Sequence, residues 1–379
     1  MKKIKYILVI IFVFCSVLSF EIDDTSVYAQ SSASSMIVIE ANSNRVLMSH
    51  NENALRANAS TTKLATFLTV LKHCDNFDEK VQVDDRAIGI PGTSIYLKKG
   101  EVLTVKELLY GMMLVSGNDA ATALALYISR DISEFANLMT LEAKKCGALN
   151  STFKNPHGLD ENGHQTTAYD LAEITRECYK YPIFEEIVSS KNAKIPDSTG
   201  KGYRYLQNKN KLLWSFNGCN GGKTGFTNNA GRCLVSSAKR NDMHLISVVL
   251  NCGSMFEESA SNMEYCFSKY HMSTLLPQYN YIKNIDVLNS DIKSVKTYSQ
   301  KSFSYPLTDE EESLINIKVN LPNQIEAPLK KEQIVGNIEI YLNNCLLFSE
   351  NIYTMESVMS NNLIDNFKRI LSKWWIYEN

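Results

Sequence analysis

Two short apolar-rich runs near the start of the folded chain, SMIVIE and VLMSH, flank Ala41-Asn42-Ser43-Asn44. Two such runs around turn-forming residues predict a β-hairpin. The pattern then changes. In NASTTKLATFLTVLKH, residues 58–73, Leu64, Phe67, Leu68 and Leu71 recur at helical spacing, which predicts an amphipathic helix with Ser60 and Lys63 at its head. A polar, turn-rich span runs to Gly100, with Pro91-Gly92 marking a loop. Helical periodicity returns over 104–113, with Leu103, Leu108, Leu109 and Met112 as its core stripe, then over 119–129, 132–146 and 168–179. The loop Asn155-Pro156-His157-Gly158 lies between the last two. A long span containing Lys209-Asn210-Lys211-Leu212-Leu213-Trp214 leads to an edge strand over 221–226 and a hairpin over 231–238 and 244–251. Strands at both ends with helices between them predict an α+β fold, a single antiparallel sheet flanked by helices.

Past about residue 278 the texture becomes all-β. Ile315, Ile317, Val319 and Leu321 alternate with Asn316, Lys318 and Asn320, and Ile338, Ile340 and Leu342 with Glu339 and Tyr341. These are the signatures of half-buried strands in a small β domain without a catalytic motif. The chain closes on a stripe at helical spacing: Leu363, Ile364, Phe367, Ile370, Leu371, Trp374 and Trp375, with Asp365, Lys368, Arg369 and Lys373 opposite. That stretch is too polar to span a bilayer, but its Trp residues and cations suit a helix lying in a membrane interface.

At the other end, Lys2, Lys3 and Lys5 precede an apolar run from Tyr6 to Phe20, and Val27-Tyr28-Ala29 offers small residues for cleavage. This reads as a secretory signal removed after Ala29. Cys15 does not make a lipoprotein site, because Phe14 before it is bulky and the apolar run continues past it. The expected division is a signal over 1–29, a catalytic domain over 30–277, a β domain over 278–355 and an amphipathic membrane-anchoring tail over 356–379. Export with such a tail places the protein on the extracytoplasmic face of the cell membrane.

Composition narrows the function classes. A length of 379 residues allows two domains with a sizeable core, and a net charge of -2 argues against a nucleic-acid binder. Eight cysteines remain after Cys15 leaves with the signal. The chain is large enough to do without staples, and Cys233 and Cys252 sit in apolar runs, so most are read as free thiols. No Cys-x-x-Cys or Cys/His cluster suggests a metal, and no cofactor is expected.

The candidate chemistry starts at Ser60 and Lys63, three residues apart and so one turn apart on a helix. A serine hydroxyl is a poor nucleophile alone. A lysine buried beside it favours its neutral form, which can take the hydroxyl proton. Two further motifs follow in chain order: Ser116-Gly117-Asn118, and Lys223-Thr224-Gly225 with Phe226 and Thr227 after it. Gly117 suits a tight turn that leaves both flanking side chains facing a cleft.

Ser-x-x-Lys, Ser-x-Asn and Lys-Thr-Gly in this order resemble the active-site trio of the penicillin-binding proteins and serine β-lactamases. The stretches SSMIVIEANSNRVLMSHNENALRANASTTKLAT, LTVKELLYGMMLVSGNDAA, FKNPHGLDENGHQTTAYDLAEIT and GGKTGFTNNAGRCLVSSAKRNDMHLISVVL are similar to the low-molecular-mass D-alanyl-D-alanine carboxypeptidases. The similarity covers most of 34–255 and continues more weakly to about 355. It implies the same fold and a peptidoglycan stem peptide ending in D-Ala-D-Ala as substrate, with β-lactams as covalent inhibitors. Ser60 is then the nucleophile and Lys63 its base, Ser116 relays a proton to the departing D-Ala, and Asn118 orients Lys63 and holds the substrate backbone. Lys223 and Thr224 offer a charge and a hydroxyl to the terminal carboxylate, and Gly225 lets the strand approach. The amides of Ser60 and Phe226 form the oxyanion hole, and Thr227 joins the substrate-binding set.

Two departures from the family pattern stand out. Asn58 occupies a position usually held by Pro, which bears on helix entry more than on chemistry. Lys209 stands where relatives often carry a carboxylate-binding Arg, keeping the charge without the bidentate fork. His157 and His164 read as loop-ordering residues. A β-lactamase would use the same trio, but its Glu-x-x-x-Asn loop is not identifiable here. Endopeptidase or transpeptidase action on cross-linked peptide, and a non-catalytic penicillin-binding wall sensor, are the remaining alternatives.

Overall fold

The computed structural model describes residues 32–362 and residue 367. The expected signal and, apart from Phe367, the apolar stripe of the tail lie outside the described residues.

The hairpin forms as expected from β1 (Ser35–Glu40) and β2 (Val46–His50). The buried Glu40 carboxylate builds its turn, accepting from the Ser43 amide at 2.7 Å and the Asn42 amide at 3.1 Å. Helix α1 (Lys63–His73) follows a short 3-10 turn, Ala59–Thr62. The turn-rich span carries only the strand pair β3 (Lys80–Gln82) and β4 (Val102–Thr104). Then come α2 (Val105–Leu114), α3 (Asn118–Ser129), α4 (Ile132–Lys145), α5 (Ala168–Cys178) and α6 (Pro182–Ser189). Thr104 closes a capping box with Glu107 at the head of α2, and Asp131 and Thr167 cap α4 and α5. A second hairpin, β5 (Asn192–Pro196) and β6 (Tyr203–Gln207), and the short α7 (Leu212–Ser215) fill the long span before the last strands.

Those strands are β7 (Cys219–Thr227), β8 (Gly231–Arg240) and β9 (Met243–Leu250), followed by α8 (Met255–Lys269). Five strands form one antiparallel sheet in the order β2-β1-β9-β8-β7, so β7 is an edge. Alternation along β1 divides two cores. Ile37 and Ile39 face the helices α1 to α6, whereas Met36 and Val38 face α8. The sheet is therefore covered on both sides. Helix α1 lies deepest and differs from the amphipathic expectation: every residue from Lys63 to Leu71 is buried. It is packed by α3, α4 and α5 together, which leaves it no solvent face.

From α8 to residue 362 the described chain is all-β apart from the short α9 (Asp309–Glu312). β10 (His271–Leu276) pairs with β13 (Phe303–Leu307). β11 (Tyr281–Leu288), β12 (Ser294–Ser299), β14 (Ile315–Asn320), β15 (Gln324–Glu326), β16 (Ile334–Leu342) and β17 (Cys345–Thr354) form a sheet in the order β14-β16-β17-β12-β11-β15. Ile338 and Ile340 are buried, but Ile317 and Val319 are 44% and 41% exposed. The half-buried reading of that strand fails because β14 is the sheet's outer edge, where the apolar face thins out. Arg45 connects the two regions: its guanidinium donates to Glu311 at 2.9 Å and lies 5.2 and 5.1 Å from the rings of Tyr270 and Tyr305. The eight cysteines of the described residues are free thiols.

Candidate active site

Ser60 sits in the Ala59–Thr62 turn rather than in the helix itself, and Lys63 is the first residue of α1. The turn is held from below by Asn58, which is fully buried. Its amide donates to the hydroxyls of Thr61 at 3.1 Å and Thr62 at 3.0 Å, and Thr62 meets His164 Nε2 at 2.8 Å. Asn58 thus replaces the rigidity of a proline with a hydrogen-bonded brace. Ala59 has φ of 48°, so the chain enters Ser60 through a left-handed residue. Lys63 is fully buried, and its Nζ has three neighbours: Ser60 Oγ at 3.0 Å, Asn118 Oδ1 at 2.7 Å and the His157 carbonyl at 2.8 Å.

Asn118 begins α3, with Ser116 and Gly117 just before it. The left-handed residue of this turn is Ser116, at φ 67°, not Gly117, at φ -57°. The turn expected from Gly117 is therefore made by its neighbour, at a cost of about 1–2 kcal/mol for a residue with a Cβ. Gly117 is small for a different reason. A Cβ there would lie 3.0 Å from Asp119 Oδ1 and 3.2 Å from the Gly111 carbonyl. The Ser116 hydroxyl is buried and, among the described residues, has no hydrogen-bond partner. Asn118 Nδ2 donates to the Pro91 carbonyl at 2.6 Å, which ties the motif to the Pro91-Gly92 loop. Asp119, not singled out from sequence, anchors the same loop by accepting from the amides of Ile95 and Leu97, both at 3.0 Å, and from Ser94 Oγ.

The third motif lies on β7, which runs past the Ser60 turn. A Cβ on Gly225 would sit 3.0 Å from the Ser60 amide nitrogen and 3.1 Å from that of Thr61. Any side chain there would push the strand off the serine. Ser60, Ser116, Lys209, Thr224, Gly225 and Phe226 line one cleft of about 450 Å³, with Thr93, Lys211, Arg232, Met255 and Phe256 completing its wall. Two more of the expected binding residues flank that wall on the same strand. Lys223 is buried on the strand face it shares with Gly225, its Nζ donating to the Thr224 carbonyl at 2.8 Å and its charge felt by Lys63. Thr227 donates to Asp160 at 2.9 Å and accepts from the Ala230 amide at 3.0 Å, which shapes the β7–β8 turn.

The electrostatics follow from burial. Lys63 is held well below the usual lysine range, first by desolvation and then by repulsion from Lys223 and Lys209, against the attraction of Asp119. Burial, with Lys209 nearby, brings Lys223 down to about 7. His157 and His164 are lowered to about 3 and about 4, chiefly by burial, so both are neutral near pH 7. His164 accepts from the Lys154 amide at 3.1 Å, and His157 supplies Lys63 with its backbone carbonyl. Both order the loop, as their positions suggested. Among the described residues no cluster of His, Cys, Asp and Glu is placed to hold a metal ion.

Sequence reasoning missed the carbonyls. Pro91 and His157 contribute main-chain oxygens, whose direction depends on the loop and not on residue type. Thr93, Arg232, Met255 and Phe256 come to the cleft from four separate segments. The only cue for the first was its position beside the Pro91-Gly92 break.

Comparison with known proteins agrees with this geometry. Residues 23–254 match the D-alanyl-D-alanine carboxypeptidase family model, and residues 270–360 match that of the penicillin-binding protein 5 C-terminal domain. The chain is 31% identical over 351 residues to D-alanyl-D-alanine carboxypeptidase DacF of Bacillus subtilis, covering 90% of each chain. It is 32% identical over 346 residues to DacC of Escherichia coli, covering 86% of this chain and 84% of that one. Its fold is similar to penicillin-binding protein 5 of Haemophilus influenzae, with a TM-score of 0.73 at 27% identity over 87% of this chain and 98% of the other. By family model, relatives and fold, this chain belongs to the serine-type D-alanyl-D-alanine carboxypeptidases, the low-molecular-mass class of penicillin-binding proteins.

Proposed function

We propose that this chain removes the terminal D-Ala from peptidoglycan pentapeptides through an acyl-enzyme on Ser60, and that penicillins acylate the same residue. The observation that carries the reading is the environment of Lys63. Two of its three neighbours, Asn118 Oδ1 and the His157 carbonyl, can only accept hydrogen bonds. A neutral lysine gives its two N–H bonds to them and turns its lone pair to the Ser60 hydroxyl, 3.0 Å away. Lys63 takes that proton as Ser60 attacks the penultimate D-Ala carbonyl. The oxygen that gains charge is held by the amides of Ser60 and Phe226, a donor pair in which each member is worth about 2.7–4 kcal/mol where such donors have been removed. The unpartnered Ser116 hydroxyl passes a proton to the departing amine, and water then hydrolyses the ester. Thr224 and Lys223 offer a hydroxyl and a charge to the terminal carboxylate, with Lys209 on the cleft wall adding a second cation.

The same reading takes residues 1–29 as an export signal, 30–277 as the catalytic domain and 278–355 as a spacing or docking domain. The amphipathic tail, 356–379, holds the enzyme on the extracytoplasmic membrane surface. Phe367, in the tail's apolar stripe, is 64% exposed, and no helix among the described residues is long and apolar enough to cross a membrane. The test is purified protein lacking signal and tail, assayed for D-Ala release from a pentapeptide and for a penicillin adduct. Release with one adduct on the Ser60 peptide supports the proposal. An adduct without D-Ala release points instead to a non-catalytic sensor.

A further inference from the structure

The β5–β6 hairpin, outside the cleft, presents two faces of opposite character. Its strands pair Pro196 with Tyr203, Ile195 with Arg204, Lys194 with Tyr205, Ala193 with Leu206 and Asn192 with Gln207. The inner face is fixed to the domain. Ile195 and Leu206 are buried, and Arg204 donates to Glu101 at 2.9 Å and to the Pro196 carbonyl at 2.6 Å. A two-stranded ribbon is marginal alone, so these contacts hold it in place. The outer face is turned to solvent. Tyr203 and Tyr205 are 61% and 74% exposed, with Asn192, Lys194 and Gln207 exposed beside them. Lys194 Nζ lies 5.2 Å from the Tyr205 ring, and Lys191 Nζ lies 5.9 Å from the half-exposed ring of Trp214 on α7. A concavity of about 640 Å³ runs along Asn192, Lys194, Tyr205 and Gln207.

That face suits a saccharide better than a protein. A stable protein interface buries about 800 Å² per partner around an apolar core. Here only the Pro196–Tyr203 pair is free of a charged or amide side chain. A pyranose ring instead has a face of C–H bonds and a rim of polar groups. Aromatic rings, with their negative faces, pack on the polarised C–H bonds, and side-chain amides both donate to the rim and accept from it. Tyr203 and Tyr205 stand about 7 Å apart on one side of a strand, so they offer two rings in a row. The ribbon is also continuous with the cleft. β6 runs through Asn208 to Lys209 on the cleft wall, which puts Tyr205 and Tyr203 about 13 and about 20 Å from it at strand spacing. A five-residue stem peptide spans at most about 17 Å. A sugar whose stem peptide ends in the cleft is therefore within reach of the tyrosines.

We infer that the outer face of the β5–β6 ribbon docks the glycan of peptidoglycan, a chain of N-acetylated amino sugars, and so favours stem peptides still attached to it. The tyrosine rings carry the sugar faces, and Asn192 and Gln207 meet the acetamido groups. The choice of ligand rests on the peptidoglycan reading above, but docking is a binding event and needs no acylation at Ser60.

The experiment uses the mature chain, tail included, in mild detergent. The probe is peptide-free glycan, alternating N-acetylglucosamine and N-acetylmuramic acid, immobilised on a biosensor surface. The wild type is expected to bind. Tyr203→Thr combined with Tyr205→Thr keeps good strand formers but removes both rings, and should weaken binding roughly tenfold or more. Tyr203→Phe combined with Tyr205→Phe keeps the rings and should stay within about threefold of the wild type. For D-Ala release, the Thr pair should lower kcat/KM on glycan-borne pentapeptide through KM, and leave free pentapeptide within about twofold. A wild type that does not bind the glycan overturns the inference and leaves the ribbon as a surface for some other macromolecule. Equal binding by the Thr pair, or a Phe pair as weak as the Thr pair, overturns it too. If neither pentapeptide is cleaved and penicillin leaves no adduct on Ser60, the acyl-enzyme reading has failed, and the glycan-binding result still decides the docking site.

Discussion

The five-stranded sheet, covered by helices on both faces, and the six-stranded sheet beyond it bury different things. The first encloses Lys63, Asn118, Asp119 and Lys223 beside large apolar residues such as Phe67 and Phe153. The second has two small clusters, one around Ile285 and Val295 and one around Ile338, Ile340 and Ile352, and leaves β14 largely in solvent. Burying the Lys63 amine without a partner carboxylate drives it towards its neutral form, an enclosure the small clusters of the second sheet do not provide. At the site itself, Ala59 and Ser116 hold left-handed conformations next to the reacting groups. The lesson is that depth of packing, not alternation, separates the reactive region from the supporting one.

The comparison breaks most sharply at Ser60. Ser60→Ala is expected to abolish both D-Ala release and covalent penicillin labelling while leaving the fold intact, because that side chain is only partly buried and donates to no structural partner. Intact-mass spectrometry after penicillin checks it, and an adduct surviving in the variant would move the nucleophile elsewhere. Lys63→Arg comes next. Arginine stays charged and cannot take the proton, so acylation should fall by roughly 10²–10⁴-fold, the range for loss of a general base. Stopped-flow acylation by a chromogenic β-lactam measures this. A folded arginine variant that acylates at near wild-type rate would rule out the base.

Much of this was legible in the sequence, and the limits are physical. The hairpin, helices α2 to α5 and the edge position of β7 are local patterns, and each appeared where periodicity placed it. The trio was legible because three side chains at fixed spacing suffice to identify it. What the sequence did not disclose depends on three-dimensional neighbours. Nothing in KLATFLTVLKH says that α3, α4 and α5 will cover its polar face as well, so α1 looked amphipathic. Nor does the sequence disclose that the Lys223 ammonium is buried and donates to the Thr224 carbonyl. The left-handed residue at the second motif was sought at the glycine and lies at Ser116, because Asp119 and the Gly111 carbonyl already use the space around Gly117.

Packing depth can be tested apart from chemistry. Phe67 is fully buried in α1, with its ring edge-on to Phe184 at 5.0 Å. Phe67→Ala should cost about 3–5 kcal/mol, the usual penalty for removing a buried aromatic ring. Chemical denaturation measures it, and a loss below about 1 kcal/mol would mean that the site collapses to fill the cavity. Acid sharpens the same contrast. His164 and His157 titrate near 6.5 when unfolded but at about 4 and about 3 in the fold. Between those values the unfolded chain binds more protons, so stability is intact above about pH 6.5 and declines as pH falls. By pH 5 each histidine should have withdrawn about 2 kcal/mol. His164→Asn, measured by thermal melting at pH 7.5 and pH 5, should narrow the difference by several degrees; an unchanged difference would show that His164 is already protonated or solvated.

The smallest effect is expected at the outer edge of the six-stranded sheet. Ile317 on β14 stands directly across from Ile340 on β16, and the two share one face. Ile340 is fully buried and Ile317 is 44% exposed, although both belong to the same alternating pattern. Ile340→Ala removes packed atoms from a closed cluster and should cost about 2–5 kcal/mol. Ile317→Thr keeps a β-branched side chain on a strand whose outer neighbour is water, so its cost should stay within about 0.5 kcal/mol. Urea denaturation of the two variants gives both numbers under one set of conditions. Equal losses would mean that β14 is covered in solution, and the edge would then be an interface rather than a free border. A near-zero loss for Ile317→Thr would instead leave β14 as the place where this sheet tolerates polar substitution, consistent with a region selected for its reach and not for its core.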